Sequence, residues 1–263
     1  MARMERYGQR LLSPAWGEEG ERLAAMAEVS DPGTFALLER LGLDASWRCL
    51  EVGAGGGTVA AWLAGRAGHV TATDLDPRYL EGLESPNLAV LRHDAACDPL
   101  PEAAFDLVHA RFVLEHLRER EDVLDRMVSW LAPGGLLVVE AFARLPVPGQ
   151  DPALRAAMDA LMGTLARTIG TDTDWPWTFP APLAARGLTG VGAEAHVPAT
   201  GGRNASTRCW SLTLAQMRPR ILELGLAAPE ALDEALRALD DPAFSGFASA
   251  TVSCWGRRPD APA

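Results

Sequence analysis

Long apolar runs are missing from this 263-residue sequence, and no stretch reaches the roughly 18 apolar residues that a membrane helix requires. The N-terminus has no apolar core followed by a small-residue cleavage site, so we expect a cytoplasmic protein. The four cysteines are too widely separated to form the close pairs that zinc sites and redox motifs use. The sequence also contains no internal repeat and no low-complexity tract.

Positive charge is scarce relative to negative charge. The sequence has 24 basic and 35 acidic residues, which gives a net charge of -11 and a pI of about 4.9. Such a field opposes binding to phosphate backbones and anionic lipids, although a local basic patch could override it. We therefore predict a small-molecule substrate and no nucleic-acid or membrane partner, while a homodimer stays open.

Strand and helix patterns alternate from Arg48 to Phe142. Alternation of this kind implies parallel pairing through right-handed crossovers, hence an α/β fold with a doubly wound, Rossmann-like, mostly parallel sheet. Ligands of such sheets bind beyond the carboxyl ends of the strands. The strands are predicted at Arg48–Val52, His69–Thr73, Leu88–Arg92, Phe105–His109 and Leu136–Phe142, and the helices at Thr58–Arg66, Pro77–Glu84 and Arg118–Leu131.

The sequence before and after this region predicts additions to the same sheet. An N-terminal helical region ends near Leu37–Leu43. Two further strands would complete a seven-stranded sheet, and the inserted helices would cover its ligand edge. These strands are predicted at Gly190–Pro198 and Phe247–Trp255, and the helices at Ala153–Ile169, Leu212–Leu224 and Glu230–Leu239.

A glycine-rich turn joins the first strand to its helix in "CLEVGAGGGTVAAWLAG", Cys49–Gly65. Glycine reaches positive φ and lets a ligand approach the main chain, so the turn predicts a nucleotide-like cofactor. A tight turn that binds nothing is the alternative. Glu51 stands in front of the first glycine, where it would repel a pyrophosphate but would suit a ligand with an ammonium group.

Acidic residues also follow the next two strands. Asp74 comes about 20 residues after the turn, where a carboxylate can accept hydrogen bonds from ribose hydroxyls. Asp76, just before Pro77, is better placed to cap the following helix. Asp94 would accept from the exocyclic amine of an adenine, while the amide of Ala95 reads a ring nitrogen.

These motifs together resemble those of the class I S-adenosylmethionine-dependent methyltransferases. The similar segments are "LEVGAGGG", the acid Asp74, "HDA", "FDLVHA" and "LAPGG", and they extend from about Trp47 to Ala143. The resemblance implies that Glu51 positions the methionyl amino group, that Gly53, Ala54 and Gly55 lie against the cofactor, and that Leu75 packs on adenine.

The resemblance also implies an organisation of the chain. Residues 1–263 would form one domain, with a helical lid in 1–46, the cofactor core in 47–143, and pocket insertions with the last strands in 144–263. The late segments "CWSLTLAQMRPRILELGL" and "FSGFASATVSCWGRRP" are similar in texture to small-molecule, natural-product methyltransferases of high-GC bacteria. Large aromatic residues that flank the core, in segments expected to form the lid, suit the walls of a pocket, although simple packing is the more common role: Trp16, Trp175, Trp177, Phe179 and Trp210.

The segment "HARFVLEHLRER" after the fourth strand carries the candidates for catalysis. His116 is predicted as a general base, since an imidazole accepts protons near neutral pH; the alternative is that Glu115 and His116 open a solvent-exposed helix. His109 is predicted to be a packed, hydrogen-bonded residue. Arg111 would bind the cofactor carboxylate or an acidic substrate, or form a surface ion pair with Glu115. Phe112 replaces an acid that can bind a metal in similar enzymes, so no metal site is expected.

We therefore predict methyl transfer from S-adenosylmethionine to a small organic molecule, with a hydroxyl as the acceptor group. Carbon or nitrogen methylation is an alternative. A nicotinamide-dependent oxidoreductase is a rival from another enzyme class, which Glu51 and Asp94 disfavour. A protein that binds the cofactor without turnover is a third reading.

Overall fold

A computed structural model of the chain describes residues 5, 7–8, 11–145 and 150–260. Seven helices lie in this part of the chain: α1 (Glu19–Arg40), α2 (Thr58–Ala64), α3 (Arg120–Trp130), α4 (Pro152–Thr168), α5 (Ala181–Ala185), α6 (Ala205–Glu223) and α7 (Pro229–Asp240). The strands are β1 (Arg48–Val52), β2 (His69–Asp74), β3 (Leu88–Arg92), β4 (Phe105–Arg111), β5 (Leu131–Arg144), β6 (Thr189–His196), β7 (Ala199–Gly201), β8 (Ser245–Phe247) and β9 (Ser249–Arg257).

The main sheet has seven strands in the order β3-β2-β1-β4-β5-β9-β6. Strands β1 to β5 pair in parallel, whereas β9 is antiparallel to both of its neighbours. The predicted doubly wound, mostly parallel sheet is thereby confirmed. The order reverses between β1 and β4, and at such a switch point the carboxyl ends of the strands leave a crevice for a ligand.

Both faces of the sheet are buried, and a third apolar cluster lies beyond its ligand edge. One face packs against α2 and the C-terminal half of α1, and the other packs against α3. The third cluster joins α4, α6 and α7 around side chains such as Leu161, Met217 and Leu239. Because α1 packs on α6 and α4 packs on α7, these helices cover the crevice at the switch point.

One predicted helix of the core is wrong. In place of a helix over Pro77–Glu84, the structure has one 3₁₀ turn, Pro77–Tyr79. Asp76 caps this turn by accepting from the backbone amide of Arg78 at 3.3 Å, as its sequence position predicts. Gly82 has φ +92°, a conformation incompatible with a continuing helix.

The late helices and strands lie close to the predicted positions, with an earlier start for α6. That helix begins at Ala205 because Asn204 caps it, accepting from the amide of Thr207 at 3.0 Å. Residues 245–247 form a separate strand that pairs with β7, so the predicted last strand divides into β8 and β9. Among the described residues, no helix is both long and apolar enough to cross a membrane.

Candidate cofactor and acceptor site

A cavity of about 650 Å³ lies at the carboxyl ends of β1, β2 and β4, beneath α1, α4 and α6. Its lining includes eight of the ten residues predicted for the site: Gly53, Gly55, Asp74, Leu75, Asp94, Ala95, Arg111 and His116. Glu51 and Ala54 are not among the described residues that line it.

The cavity has two parts with different chemistry. The first, which we call the cofactor half, follows β1, β2 and β3 and contains the glycine turn, Asp74 and Asp94. The second, the acceptor half, is lined by the N-terminal segment, α1, His116, β5, α4 and α6. Its walls are mainly apolar and aromatic, with side chains that include Tyr7, Leu12, Arg22, Phe142, Leu161, Met162, Cys209 and Trp210.

The glycine turn is shaped by backbone conformation and by close side chains. Gly53 has φ +69°, and a Cβ atom there would lie 2.4 Å from Cγ2 of Val113. Gly57 has φ +80°, and its Cβ would lie 2.3 Å from Cδ1 of Leu83. A side chain at either position would therefore strain the turn and displace a neighbouring residue.

Asp74 connects the turn to the end of β2. Its Oδ2 accepts from the amide of Gly55 at 2.9 Å, and its Oδ1 accepts from the amide of Asp76 at 2.9 Å. Burial raises the pKa of Asp74, and these backbone hydrogen bonds oppose the rise. Each carboxylate oxygen can accept a second hydrogen bond, so Asp74 can hold the turn and still bind two hydroxyl groups in the cavity.

The neighbouring residues fit an adenosine. Leu75 is 40% exposed although it is apolar, and it lines the cavity beside Asp74. Asp94 and Ala95 line the same half, and Asp94 Oδ1 accepts from the amide of Ala96 at 3.0 Å. An exposed leucine beside Asp74 offers the apolar contact that an adenine ring needs.

Substitution of Asp74 by alanine is expected to weaken binding of S-adenosylhomocysteine by about 1.5–3 kcal/mol, the range for hydrogen bonds to a charged group. Titration calorimetry measures this change. Asp44→Ala is the control, because Asp44 is exposed and its carboxylate accepts hydrogen bonds from the amide and hydroxyl of Ser46, in a loop outside the cavity lining. Unchanged affinity in a folded Asp74→Ala variant would remove Asp74 from the site.

Glu51 is buried in the core and is bound by another side chain. Its Oε2 lies 2.6 Å from Nδ1 of His109, whose Nε2 lies 3.2 Å from Oε2 of Glu140. Burial opposes a charge on His109, but the two carboxylates outweigh it and raise the pKa of His109 to about 9. Burial alone would raise the pKa of Glu140, yet His109 and further hydrogen bonds lower it to about 2. His109 is thus packed and hydrogen-bonded, as predicted. It binds the carboxylate of Glu51, which was expected to face the cofactor.

The buried network of Glu51, His109 and Glu140 is connected to α1 by hydrogen bonds. Thr34 Oγ1 donates to Glu140 Oε2 at 2.5 Å and accepts from Arg111 Nη1 at 2.8 Å, and Arg111 Nη2 donates to Asp31 Oδ1 at 2.6 Å. Arg111 lines the cavity, so the expected contact with a cofactor carboxylate is open to it. The alternative of a surface pair with Glu115 is wrong, because the partner of Arg111 is Asp31.

Stability is expected to fall as the pH rises from about 6.5 to 9. The pKa of histidine is about 6.5 in the unfolded chain, and the pKa of His109 in the folded protein is about 9. The protonated His109 therefore contributes its full stability below pH 6.5, and this contribution is lost as the pH rises to 9. Urea unfolding at pH 6.5, 8 and 9.5 measures the change, and His109→Gln should reduce it. An unchanged slope in that variant would contradict a charged His109.

His116 lies at the junction of the two halves of the cavity. It ends a 3₁₀ turn, Leu114–His116, and its Nδ1 lies 2.9 Å from Oγ1 of Thr171. The ring of Tyr7 is 5.0 Å from the His116 ring. Burial, followed by the charges of Arg22 and Arg120, lowers the pKa of His116 to about 3, so the imidazole is neutral.

The alternative in which Glu115 and His116 open an exposed helix is wrong. Helix α3 begins at Arg120, and the side chain of Glu115 is 0% exposed. Its Oε1 accepts from the amide of Phe142 at 2.8 Å, and its Oε2 has no partner among the described atoms. Burial raises the pKa of Glu115 to about 8, so the group holds a proton at neutral pH.

Several lining residues were not predicted, and most come from the covering helices. Arg22, Phe142 and Leu161 had no signal beyond an ordinary helix or strand pattern, and Tyr7 precedes the first regular element. Of the five aromatic residues proposed for the pocket, Trp210 lines the cavity, with its ring 5.3 Å from that of Phe142. Trp175 and Phe179 pack on each other instead, with ring centroids 4.8 Å apart.

The described residues contain no group of three or more His, Cys, Asp or Glu side chains that could hold a metal ion. Of the four cysteines, Cys49 and Cys254 are buried in the sheet, Cys97 is exposed, and Cys209 lines the acceptor half. Among these residues, Cys209 is therefore the cysteine that can contact a molecule in the cavity.

The fold and the site define a class of protein. The sheet has seven strands, of which one is antiparallel to its neighbours. The acid that ends β2 binds the glycine turn, and Asp74 and Asp94 line the cavity. These features fit S-adenosylmethionine as cofactor. In agreement, residues 50–139 match the family described as methyltransferase domain. The matched residues form the cofactor core of the chain, and the fold and motifs of this core are similar to those of the class I S-adenosylmethionine-dependent methyltransferases.

Known proteins with related sequences support this assignment. An uncharacterized methyltransferase of Mycobacterium tuberculosis is 31% identical over 138 residues, which are 51% of this chain and 66% of that protein. A ubiquinone biosynthesis O-methyltransferase of Xylella fastidiosa is 36% identical over 149 residues, which are 52% of this chain and 57% of that protein. The chain thus spans 66% and 57% of the lengths of these two relatives.

A solved structure extends the similarity to the fold. Phosphoethanolamine N-methyltransferase 2 of Haemonchus contortus, in complex with phosphomonomethylethanolamine and S-adenosylhomocysteine, superimposes with a TM-score of 0.59. The sequences are 16% identical, and the match covers 92% of this chain and 58% of that one. At this identity the comparison shows a shared fold.

Proposed function

We propose that the protein transfers the methyl group of S-adenosylmethionine to a hydroxyl group of a small organic molecule of the natural-product type. The observation that carries the proposal is the continuity of one cavity from Asp74 and the glycine turn to His116 and the aromatic walls of the acceptor half. A cofactor held by the first part would present its reactive end to an acceptor in the second.

The residues of the cofactor half would hold and orient the cofactor. Asp74 accepts from the ribose hydroxyls, Leu75 packs on the adenine, and Asp94 with Ala95 binds its polar edge. Arg111 contributes a positive charge for the cofactor carboxylate. Gly53 and Gly55 leave room for the chain that joins the two ends of the cofactor.

We propose that Glu51 and Ala54 support the cofactor site indirectly, through the residues that they contact. Ala54 donates its amide to the carbonyl of Thr73 at 2.9 Å and so fixes the turn to β2. Glu51, bound to His109, holds the ends of β1 and β4 together beneath the turn. Both residues would therefore position the cofactor site from below, and a direct contact of Glu51 with the amino group requires that His109 release it.

The reaction needs alignment more than covalent machinery. When bound, S-adenosylmethionine supplies a methyl carbon that is already a strong electrophile. The protein must hold the acceptor oxygen within about 3–3.5 Å of that carbon and exclude water. Apolar side chains of α4 and α6, such as Leu161 and Trp210, supply the dry wall. His116, neutral and at the junction, would receive the hydroxyl proton.

The names of the relatives favour oxygen as the acceptor atom without excluding others. The Xylella relative is named as an O-methyltransferase, whereas the Haemonchus protein methylates nitrogen by its name. Nitrogen and carbon methylation remain the alternatives, together with nicotinamide-dependent redox chemistry and cofactor binding without turnover. We also propose a cytoplasmic location, and a homodimer stays a prediction.

Two measurements test the function. Calorimetry with S-adenosylmethionine, S-adenosylhomocysteine and NAD should show binding of the first two and not of the third. Transfer of a labelled methyl group to a panel of phenols, anilines and thiols should yield a methylated phenol. Binding of NAD would replace the proposal with the oxidoreductase, and cofactor binding with no methylated product from any panel would favour a binding protein.

A further inference from the structure

A buried arginine, Arg22, lies in the acceptor half of the cavity. It sits in the first turn of α1, and its side chain is only 4% exposed although it lines the cavity. Its Nε and Nη2 donate to the Glu19 carboxylate at 2.7 and 2.6 Å, and Gln216 Nε2 also donates to Glu19 at 3.1 Å. Glu19 is not among the described lining residues, whereas Tyr7, whose hydroxyl is hydrogen-bonded to Arg22, lines the cavity with it.

Carboxylates line only the other half of the cavity. The acidic lining residues that the structure describes are Asp74, Asp76, Asp94 and Asp98, which follow β2 and β3. The residues outside the described ranges contain no Asp or Glu. An ammonium group in a largely apolar pocket needs a carboxylate to compensate its desolvation, so the acceptor half is unsuited to a cationic amine.

The charge of Arg22 lowers the pKa values of neighbouring side chains. It contributes to the low pKa of His116, together with burial and Arg120. Burial raises the pKa of Tyr7 and Cys209, and Arg22 opposes both shifts. A field that disfavours a proton on His116 also favours negative charge on any oxygen bound next to it.

We propose that Arg22 binds the oxygen atom that is methylated, and that the acceptor is therefore a weakly acidic hydroxyl compound, such as a phenol or an enol, and not an amine. This inference rests on the proposed methyl transfer. As the oxygen bonds to the methyl carbon it becomes strongly acidic and its proton passes to Nε2 of neutral His116, while the carbon–sulfur bond breaks with its electron pair left on sulfur. Because Arg22 lowers the proton affinity of the acceptor and of His116 together, its charge does not oppose proton transfer between them.

The ionisation of a bound phenol tests this role without turnover. 4-Nitrophenol is titrated spectroscopically in the complex of the protein with S-adenosylhomocysteine, because its phenolate absorbs at longer wavelength than its neutral form. We expect its pKa in the complex to lie about one unit or more below its value in water, equivalent to about a tenfold larger ionisation constant. Arg22→Gln should abolish this shift.

Two further variants keep the test independent of folding. Arg40→Gln is the matched control, since Arg40 lies on the same helix and pairs with Glu194 at the surface; it should retain the full shift. Glu19→Gln leaves the charge of Arg22 uncompensated and should lower the pKa of bound 4-nitrophenol further. A variant that merely loosens the helix would not change the pKa in that direction.

The outcomes separate this inference from the proposed function. A pKa of bound 4-nitrophenol at or above its value in water, or one that neither Arg22→Gln nor Glu19→Gln changes, would overturn the role of Arg22. The role of Arg22 would also be overturned if the complex with S-adenosylhomocysteine did not bind 4-nitrophenol, or if it bound benzylamine more tightly than 4-nitrophenol. Failure to bind S-adenosylhomocysteine at all would instead reject the proposed methyl transfer.

Discussion

Replacement of His116 by alanine is expected to lower turnover about 10²–10⁴-fold while the affinity for S-adenosylhomocysteine stays unchanged, the range found when a general base is removed. The geometry gives the reason. Nδ1 of His116 is bound to Thr171 at 2.9 Å, which leaves Nε2 for an acceptor in the cavity. Single-turnover transfer of labelled methyl groups, with the best phenol from the panel, measures the loss.

The pH dependence separates a base from a packing residue. Because the pKa of His116 is about 3, kcat/KM of the wild type should show no inflection from this group between pH 5 and 8. Added imidazole should restore part of the rate of His116→Ala, and His196→Ala, at an exposed position of the edge strand β6, should behave as the wild type. If the His116→Ala variant keeps most of its rate, alignment and exclusion of water are the whole mechanism.

The local sequence predicted the cofactor half well because its parts are consecutive. The strand Arg48–Val52, the glycine turn and the start of α2 form one continuous unit, and Asp74 ends the next strand. In a parallel sheet the ends of adjacent strands meet at one edge, so their spacing in sequence fixes their proximity. The helix predicted at Pro77–Glu84 is absent because Gly82 has φ +92° and only the turn Pro77–Tyr79 forms.

The position of Glu51 depends on a neighbour that is distant in sequence. In the parallel pairing of β1 with β4, Glu51 is the register partner of His109. Side chains of register partners point to the same side of a sheet, so the two groups meet in the core. The pairing of β1 with β4 was implied by the fold, but its register was not, and the register decides whether Glu51 faces the cofactor or His109.

The acceptor half could not be predicted because it is assembled from distant segments. Arg22 and Trp210 come from α1 and α6, and Phe142 comes from the end of β5. A helical pattern shows which residues share a face, but the direction of that face depends on how α1 and α6 pack on each other. Two of the three described arginines that line the cavity illustrate this, since the charged partners of Arg22 and Arg111 are both on α1.

Replacement of His109 by leucine is expected to reduce the free energy of unfolding at pH 7 by about 3–5 kcal/mol, because it leaves two buried carboxylates without their shared cation. Glu51 and Glu140 would then lie buried without the cation that now contacts both. Urea unfolding monitored by tryptophan fluorescence measures the loss. His69→Leu is the matched control, since His69 is exposed at the start of β2.

A second substitution separates charge from packing. In the double variant Glu51→Gln and His109→Leu one of the two carboxylates is gone, so part of the lost stability should return, whereas a pure packing defect would persist or grow. A loss below about 1 kcal/mol in His109→Leu would mean that a charged His109 does not hold the two acids. Glu51 would then already be free in the wild type to bind the amino group of the cofactor, and the affinity for S-adenosylhomocysteine should be equal in the wild type and in this variant.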